Sequence, residues 1–351
     1  MLVLFVGNFL SQRGLTPTAS EELVPRLREA GWTIVTTSSK RARVARVLDM
    51  QSHIWVRSYD IAQIDVYSGN AFRWAELSAW NLERHDTPYV LTLHGGRLPE
   101  MLATPASSKR VRRLLIGAQA VVAPSEYLRE AFLTLRSDID VIPNGLDLAN
   151  YASPEDSALP ERPALLWLRA FHEVYRPDLA IQTLARLVED DVNVSLRMIG
   201  PDKKDGSLEA ARRQIVELGL EERVEIVGGI PKDQVPSELQ RGSLFLNTSD
   251  VDNTPVSVIE AMASGLPVVS TDAGGIGHLV RDGEDGLVVP RGDANALAAA
   301  VRRLLHEESL ANRLGAEARR KVAAFDWSEV VPRWDALLRH CIEGHALKGM
   351  H

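Results

Sequence analysis

Short apolar runs recur along the chain, separated by stretches in which apolar residues return every three or four positions. In the first half the runs are LVLFV (2–6), TIVTT (33–37), IWVRS (54–58), QIDVYS (63–68), YVLTLH (89–94), AVVAPS (120–125) and DVIPN (140–144). The second half continues with LLWL (165–168), NVSLRMI (193–199), VEIVG (224–228), SLFLN (243–247) and PVVST (267–271). Such runs read as strands buried on both faces, and the periodic stretches between them as helices. Thr18-x-x-Glu21 forms a capping box, and Gly31 suits the residue that closes that helix. Ile181, Leu184, Ala185 and Val188 mark one later helix face, and Leu297, Val301, Leu304 and Leu305 another. Val330, Trp334, Leu337, Leu338 and Cys341 share a face of a closing helix, with the thiol buried.

Strands alternating with helices of this length predict parallel sheets in an α/β protein. The stretch SPEDSALPERP (153–163) carries three prolines and no apolar period, so it reads as a linker. The prediction is two doubly wound Rossmann-like domains, 1–155 and 156–325, followed by a C-terminal helix over 326–351. Ligands of such sheets bind at the carboxyl ends of the strands, so two domains facing one another imply a cleft.

Composition narrows the function classes. The 351 residues hold 45% hydrophobic and 25% charged side chains, ample for two cores. No run reaches the length of a membrane span, and Met1–Val6 is too short for a signal peptide. With one cysteine, Cys341, the expected setting is reducing and cytoplasmic. The net charge of −7 argues against nucleic acid as a partner. Residues 1–160 are neutral, with 17 basic and 17 acidic side chains, so residues 161–351 carry the whole −7.

The densest chemistry lies in DNTPVSVIEAMASG (252–265). Thr254 reads as an N-cap, Pro255 as the first helical residue and Gly265 as the residue after the helix. The helix start offers free amides to an anion; the alternative is a well-capped structural helix with Asp252 assisting its dipole. Arg169, after LLWL, is either a diphosphate clamp or a surface ion pair. His94 ends a strand before Gly95-Gly96, as a site residue or a structural hydrogen bonder. Two metal readings are set aside. His340, Cys341 and His345 fit no zinc spacing, and Asp250-Val251-Asp252 resembles a metal-binding Asp-x-Asp of a different fold.

The segment 255–265, with LPVVST (266–271), Gly274-Gly275 and DGEDGLVVP (282–290), resembles the retaining glycosyltransferases of family 4, which have the GT-B fold. PSEYLREAF (124–132), VIPNGLD (141–147), Leu168-Arg169 and the helix bearing Trp327 and Trp334 are similar to family features in the same order. The resemblance implies two facing domains and a C-terminal helix that crosses back to the first. It implies that Asp252, in place of the first acid of the family's Glu-x7-Glu, holds donor-sugar hydroxyls, and that Glu260 bonds the nucleotide ribose. Asn253, Thr254, Val256 and Ser257 keep the amides that would meet the sugar and diphosphate, whereas Pro255 lacks one. Arg169 would clamp the diphosphate. The family's lysine about five residues on is absent here, and Tyr175 or Arg176 stands in its place. By the same resemblance His94 lies beside the anomeric end, Gly14 belongs to a closing loop, and Gly229 and Ile230 line the base pocket.

The resulting expectation is a retaining hexosyltransferase that needs no metal and no cofactor, with a nucleotide sugar as co-substrate. Its acceptor would be a glycan or lipid-linked hydroxyl. A nucleotide-sugar epimerase or phosphorylase, or a non-catalytic GT-B binding protein, are the alternatives. Basic clusters at Lys40–Arg46 and Lys109–Arg113 are either solvated helix faces or points of peripheral contact with an anionic membrane at its inner face.

Overall fold

The structure, a computed structural model, describes residues 1–11, 17–95, 97–151 and 160–348. Gly14, Gly96 and most of the 153–163 linker lie outside the described residues. The chain divides into two compact units, Met1–Leu146 with Phe325–His351, and Asp147–Ala324.

Unit 1 runs β1 (Leu2–Val6), α1 (Ala19–Glu29), β2 (Thr33–Thr37), α2 (Arg43–Val56), β3 (Ile61–Val66) and α3 (Asn70–Arg84). It continues β4 (Tyr89–Leu93), α4 (Pro105–Gly117), β5 (Ala120–Ala123), α5 (Glu126–Phe132) and β6 (Ile139–Val141). The six strands are parallel in the order β2-β1-β3-β4-β5-β6. Every residue of β3, β4 and β5 is buried, including the polar Gln63, Asp65 and Thr92 that interrupt the apolar runs of β3 and β4. The capping box of α1 forms: Thr18 Oγ1 accepts from the Glu21 amide at 3.2 Å, and Glu21 Oε2 accepts from the Thr18 amide at 2.9 Å.

One expected strand is a helix. The apolar run at 54–58 predicts a strand, but Ile54–Val56 form the last turn of α2. The helix buries Met50 and Ile54, four residues apart, and leaves Trp55 and Val56 in solvent. A strand would have buried alternate residues instead; the helical period upstream of the run decided the outcome.

Unit 2 runs β7 (Ala164–Leu168), α6 (Pro177–Glu189), β8 (Ser195–Ile199), α7 (Ser207–Glu217), β9 (Val224–Gly228), α8 (Val235–Leu239) and β10 (Leu244–Asn247). Then follow α9 (Val256–Ala263), β11 (Val268–Thr271), α10 (Ile276–Leu279), β12 (Leu287–Val289), α11 (Ala294–His306) and α12 (Glu308–Val322). Its parallel strand order is β12-β11-β10-β7-β8-β9. The order reverses between β7 and β10, which opens a crevice at their carboxyl ends.

The last helix, α13 (Trp327–Lys348), belongs to unit 1. Val330, Trp334, Leu338 and Cys341 join Val3, Phe5, Leu27 and Val90 in one core cluster. The Leu146 amide donates to the Phe325 carbonyl at 2.8 Å, so the chain leaves and re-enters this unit side by side. Gly145 has no room for a side chain, since a Cβ there would lie 2.3 Å from the Trp327 ring. That contact explains the glycine of VIPNGLD as a packing requirement. Among the described residues no helix is long and apolar enough to cross a membrane.

Candidate active site

The unit 2 site sits at the carboxyl ends of β7 and β10. Arg169 leaves β7 with its amide still bonded to the Ile199 carbonyl at 2.9 Å. Gly200 lets the next strand come this close, because a Cβ there would fall 1.8 Å from the Arg169 carbonyl oxygen. The guanidinium makes an ion pair with Asp252, and both side chains are largely buried. It also lies over the Tyr175 ring at 4.6 Å. Burial pulls the Arg169 pKa down to about 10, against the pull of Tyr175 and Glu260, so the group stays cationic at neutral pH.

Tyr175 is held through its backbone. Thr248 Oγ1 lies 2.8 Å from the Tyr175 carbonyl and accepts from the indole of the buried Trp167 at 2.9 Å. Arg176 takes a left-handed φ of 51°. Its guanidinium pairs with Asp178 at 2.9 Å and Asp250 at 3.2 Å, and these contacts raise its pKa. Of the two residues standing where the family has a lysine, Tyr175 therefore meets Arg169, and Arg176 is committed to two carboxylates.

The Asp252 loop is pinned from below. The Gly275 amide donates to the Asp252 carbonyl at 2.9 Å. A Cβ at Gly274 would meet that same carbonyl oxygen at 2.1 Å, and one at Gly275 would meet the Asn253 carbonyl oxygen at 1.9 Å. The paired glycines thus serve backbone-to-backbone packing. Asp252 Oδ1 accepts from the Asn253 amide at 3.1 Å.

The helix start differs from expectation. Pro255, with φ −67° and ψ 114°, is the cap residue outside α9, and Thr254 makes no capping bond. An extended ψ at Pro255 shifts the first helical residue to Val256, so the threonine hydroxyl cannot reach the amides it would have capped. The Oγ atoms of Thr254 and Ser257 are buried without a hydrogen-bond partner. The first amides of α9, Val256 and Ser257, have no acceptor within the helix. These groups form a cluster of unused donors beside the Arg169–Asp252 pair.

Farther along α9, Glu260 is buried, and its Oε1 accepts from the Tyr151 hydroxyl at 2.9 Å. Arg319 binds the Tyr151 carbonyl at 2.9 Å and also the Ala263 carbonyl, fastening Tyr151 to the end of α9. Sequence reasoning missed Tyr151, which lies 109 positions from its partner and carries no motif. Gly229, where a Cβ would come within 3.2 Å of the Pro201 side chain, and Ile230 follow β9 at the same sheet edge. His278, at the short helix α10, is exposed.

His94 lies in unit 1, just after β4, with its amide bonded to the Val66 carbonyl at 2.8 Å. Its Nε2 faces Asp65 Oδ1 at 3.0 Å, and the Tyr67 ring stacks on it at 4.9 Å. Ser20 and Gln63 donate to the same carboxylate oxygen at 2.7 and 2.9 Å. Burial would raise the Asp65 pKa, but the His94 charge and these three hydrogen bonds hold it below the ordinary range. Asp65 is then a carboxylate, so His94 Nε2–H is the donor. Asp65 was also missed, although a lone acid inside the strand QIDV signalled it: a buried carboxylate needs partners. Among the described residues no group of three or more His, Cys, Asp or Glu could hold a metal ion.

Two family descriptions match consecutive parts of the chain. Glycosyltransferase Family 4 covers residues 13–150, and Glycosyl transferases group 1 covers residues 152–321. The chain is a glycosyltransferase of the family 4 type, with the GT-B fold. A D-inositol 3-phosphate glycosyltransferase of Nocardia farcinica is 26% identical over 309 residues, 81% of this chain and 67% of that protein. In fold, this glycosyltransferase is similar to a sucrose-phosphate synthase of Thermosynechococcus elongatus, with TM-score 0.74, 21% identity, and 98% and 99% of the two chains covered. It is also similar to Anabaena HepE, solved in complex with UDP and glucose, with TM-score 0.74, 19% identity, and 97% and 100% covered.

Proposed function

We propose that this glycosyltransferase moves a hexose from a nucleoside diphosphate sugar to a hydroxyl of a glycan or lipid-linked acceptor, with retention of anomeric configuration and without a metal ion. The observation that carries the reading is the set of unused donors that follows Asp252, the partner of Arg169: the buried Thr254 and Ser257 hydroxyls and the first amides of α9. Unit 2 is the acidic half of the chain, so an anionic diphosphate must be recognised locally, and this is where positive groups converge. Anabaena HepE, similar in fold, has been solved with UDP and glucose and with UDP-glucose, which supports a nucleotide-sugar donor.

In this mechanism the diphosphate takes over the Arg169 guanidinium, and its oxygens accept from the Thr254, Val256 and Ser257 donors. Asp252, released from Arg169, turns to the sugar hydroxyls. Glu260, held by the Tyr151 hydroxyl, is assigned to the ribose. Charge develops on the leaving phosphate as the bond from the anomeric carbon to oxygen breaks, and Arg169 with the α9 amides stabilises it. The acceptor oxygen bonds the anomeric carbon from the same face, and its proton passes to the departing phosphate oxygen. In unit 1, His94 is assigned a part in the reaction by its resemblance to the family residue, with Asp65 holding its ring.

A thermal-shift screen of UDP-, GDP- and ADP-sugars identifies the donor, because specific binding stabilises the native state. Proton NMR of the product then reports the anomeric configuration, and the assay repeated in EDTA reports metal dependence. An inverted product, or activity abolished by EDTA and restored by a divalent cation, would overturn the corresponding part of the proposal.

A further inference from the structure

Helices α2, α3 and α4 lie side by side on one face of the unit 1 sheet. Their inner residues, Met50 and Ile54, Phe72 and Leu82, Val111 and Leu114, share one core cluster with Leu4, Ile64 and Leu91. Gln51 of α2 joins Ser78 of α3 at 3.1 Å and accepts from Asn81 at 2.5 Å. Arg110 of α4 binds Glu76 of α3. The outer face of this layer breaks the usual pattern of an exposed helix surface. Val44, Leu48 and Trp55 form a solvent-facing stripe on α2, with Leu48 64% and Trp55 63% exposed, and Val56 beside it is 84% exposed. Leu77 and Trp80 are exposed on α3, and Ile116 on α4. Among the described residues of unit 1, these seven stand against only two other exposed large apolar side chains, Met1 and Leu347. Trp55 meets His85 at the end of α3 edge-on at 5.5 Å, which ties the two stripes together.

Charge separates this face from the rest of the molecule. Stretches 40–57, 70–84 and 105–117 hold eleven arginines and lysines against three carboxylates, in a chain whose net charge is −7. Glu76 is already bound to Arg110, and Glu83 accepts from Tyr89 at 2.8 Å. Arg84 lies over the exposed Trp80 ring at 4.7 Å, which presents an aromatic surface and a cation together. Arg43, Arg57, Arg73, Arg112 and Arg113 have no carboxylate partner among the described residues.

We infer that the outer face of α2–α4 docks on an anionic lipid bilayer, with Leu48, Trp55, Val56 and Trp80 entering the interface and the surrounding arginines meeting phosphate headgroups. Apolar side chains ringed by cations match the headgroup boundary, where tryptophan and arginine are both accommodated. A second copy of this chain fits poorly, because a two-fold contact would set the same arginines opposite one another. The inference rests on the proposed use of a lipid-linked acceptor for its purpose, but its geometry lies wholly within unit 1.

Co-sedimentation with mixed phosphatidylglycerol–phosphatidylcholine vesicles tests it. The protein is expected to pellet at low salt, to be released at high salt, and to remain in solution with phosphatidylcholine alone. The Leu48→Ser/Trp55→Ser double variant should weaken binding about tenfold or more. Arg43→Gln/Arg84→Gln should weaken it about fivefold per charge removed. Both should keep the wild-type melting temperature and the thermal shift with the nucleotide sugar, so failure here is distinguishable from failure of the proposed transfer reaction. Wild-type protein left in the supernatant with anionic vesicles, or variants that pellet like wild type, would sink the inference. A dimer by light scattering that Leu48→Ser/Trp55→Ser dissolves would reassign the face to contact between copies.

Discussion

The Arg169–Asp252 pair makes a demand on Asp252→Asn that a simple binding role for the aspartate does not. In the structure the carboxylate occupies the guanidinium that a diphosphate needs, and the Asp252 and Arg169 side chains are only 10% and 15% exposed. Replacing Asp252 with asparagine keeps the volume and removes one negative charge beside the anion site. At an effective dielectric of about 20 and a separation of roughly 6–8 Å, that charge repels a unit phosphate charge by about 2–3 kcal/mol. Free nucleoside diphosphate should therefore bind the variant tighter, by a factor of roughly 30–100. The uncompensated Arg169 cation should meanwhile cost stability, on the order of 3 kcal/mol. For a unit of this size that lowers its melting temperature by about 6–12 °C. Added diphosphate should recover much of the loss by supplying the missing counter-charge. Turnover should nonetheless collapse, because the sugar hydroxyls lose a charged acceptor and one of its two oxygens becomes a donor NH2 group. Isothermal titration calorimetry with the nucleoside diphosphate, differential scanning calorimetry with and without it, and a product-release assay measure the three effects. If the variant binds diphosphate more weakly than wild type at unchanged stability, the pair does not gate this site and the mechanism built on it is wrong.

Other outcomes follow from single contacts. Gly275→Ala, whose Cβ would sit 1.9 Å from the Asn253 carbonyl oxygen, should displace the Asp252 loop and cut turnover at least tenfold while far-ultraviolet circular dichroism is unchanged. Gly145→Ala drives a methyl into the Trp327 ring and should cost unit 1 about 1–3 kcal/mol, read from its urea midpoint. The depressed Asp65 pKa means that its stabilising contribution is complete above the ordinary aspartate value near pH 4, and is lost as the pH falls through the lower folded value. Urea midpoints measured against pH should show that acid limb in wild type and a flatter one in Asp65→Asn. Burial pushes the Cys341 thiol up to about 11, so it should resist alkylation in the native protein at pH 8 and react once denatured; fast native labelling would contradict its buried place on α13.

The fold was legible where local physics and global packing agree. Leu2–Val6, Thr33–Thr37 and Val224–Gly228 form strands with the boundaries that their apolar runs predict. The Thr18 capping box and the positive φ of 94° at Gly31 close α1 as expected. Legibility failed at Ile54–Val56, where strand-forming residue types end a helix, and at Thr254, where the extended backbone of Pro255 moved the helix start. Gly274 and Gly275 were visible as a signal, but their cause was not. They make room for the carbonyls of Asp252 and Asn253, more than twenty positions away.

The sequence alone determined most of the strands and helices, and which residues carry charge, hydroxyl or imidazole at their ends. It could do so because a parallel strand covered on both faces must be apolar throughout, and a helix end must satisfy its amides within a few residues. Only the tertiary structure decided which of those groups meet. Arg169 reaches Asp252 because β7 lies beside β10, and Tyr151 reaches Glu260 across 109 positions because Arg319 ties it to α9. Asp65 and His94 pair because β3 and β4 run in register. Pairing between strands and across helices is set by topology, which no local pattern encodes, and at both sheets it is topology that turns scattered polar residues into partners.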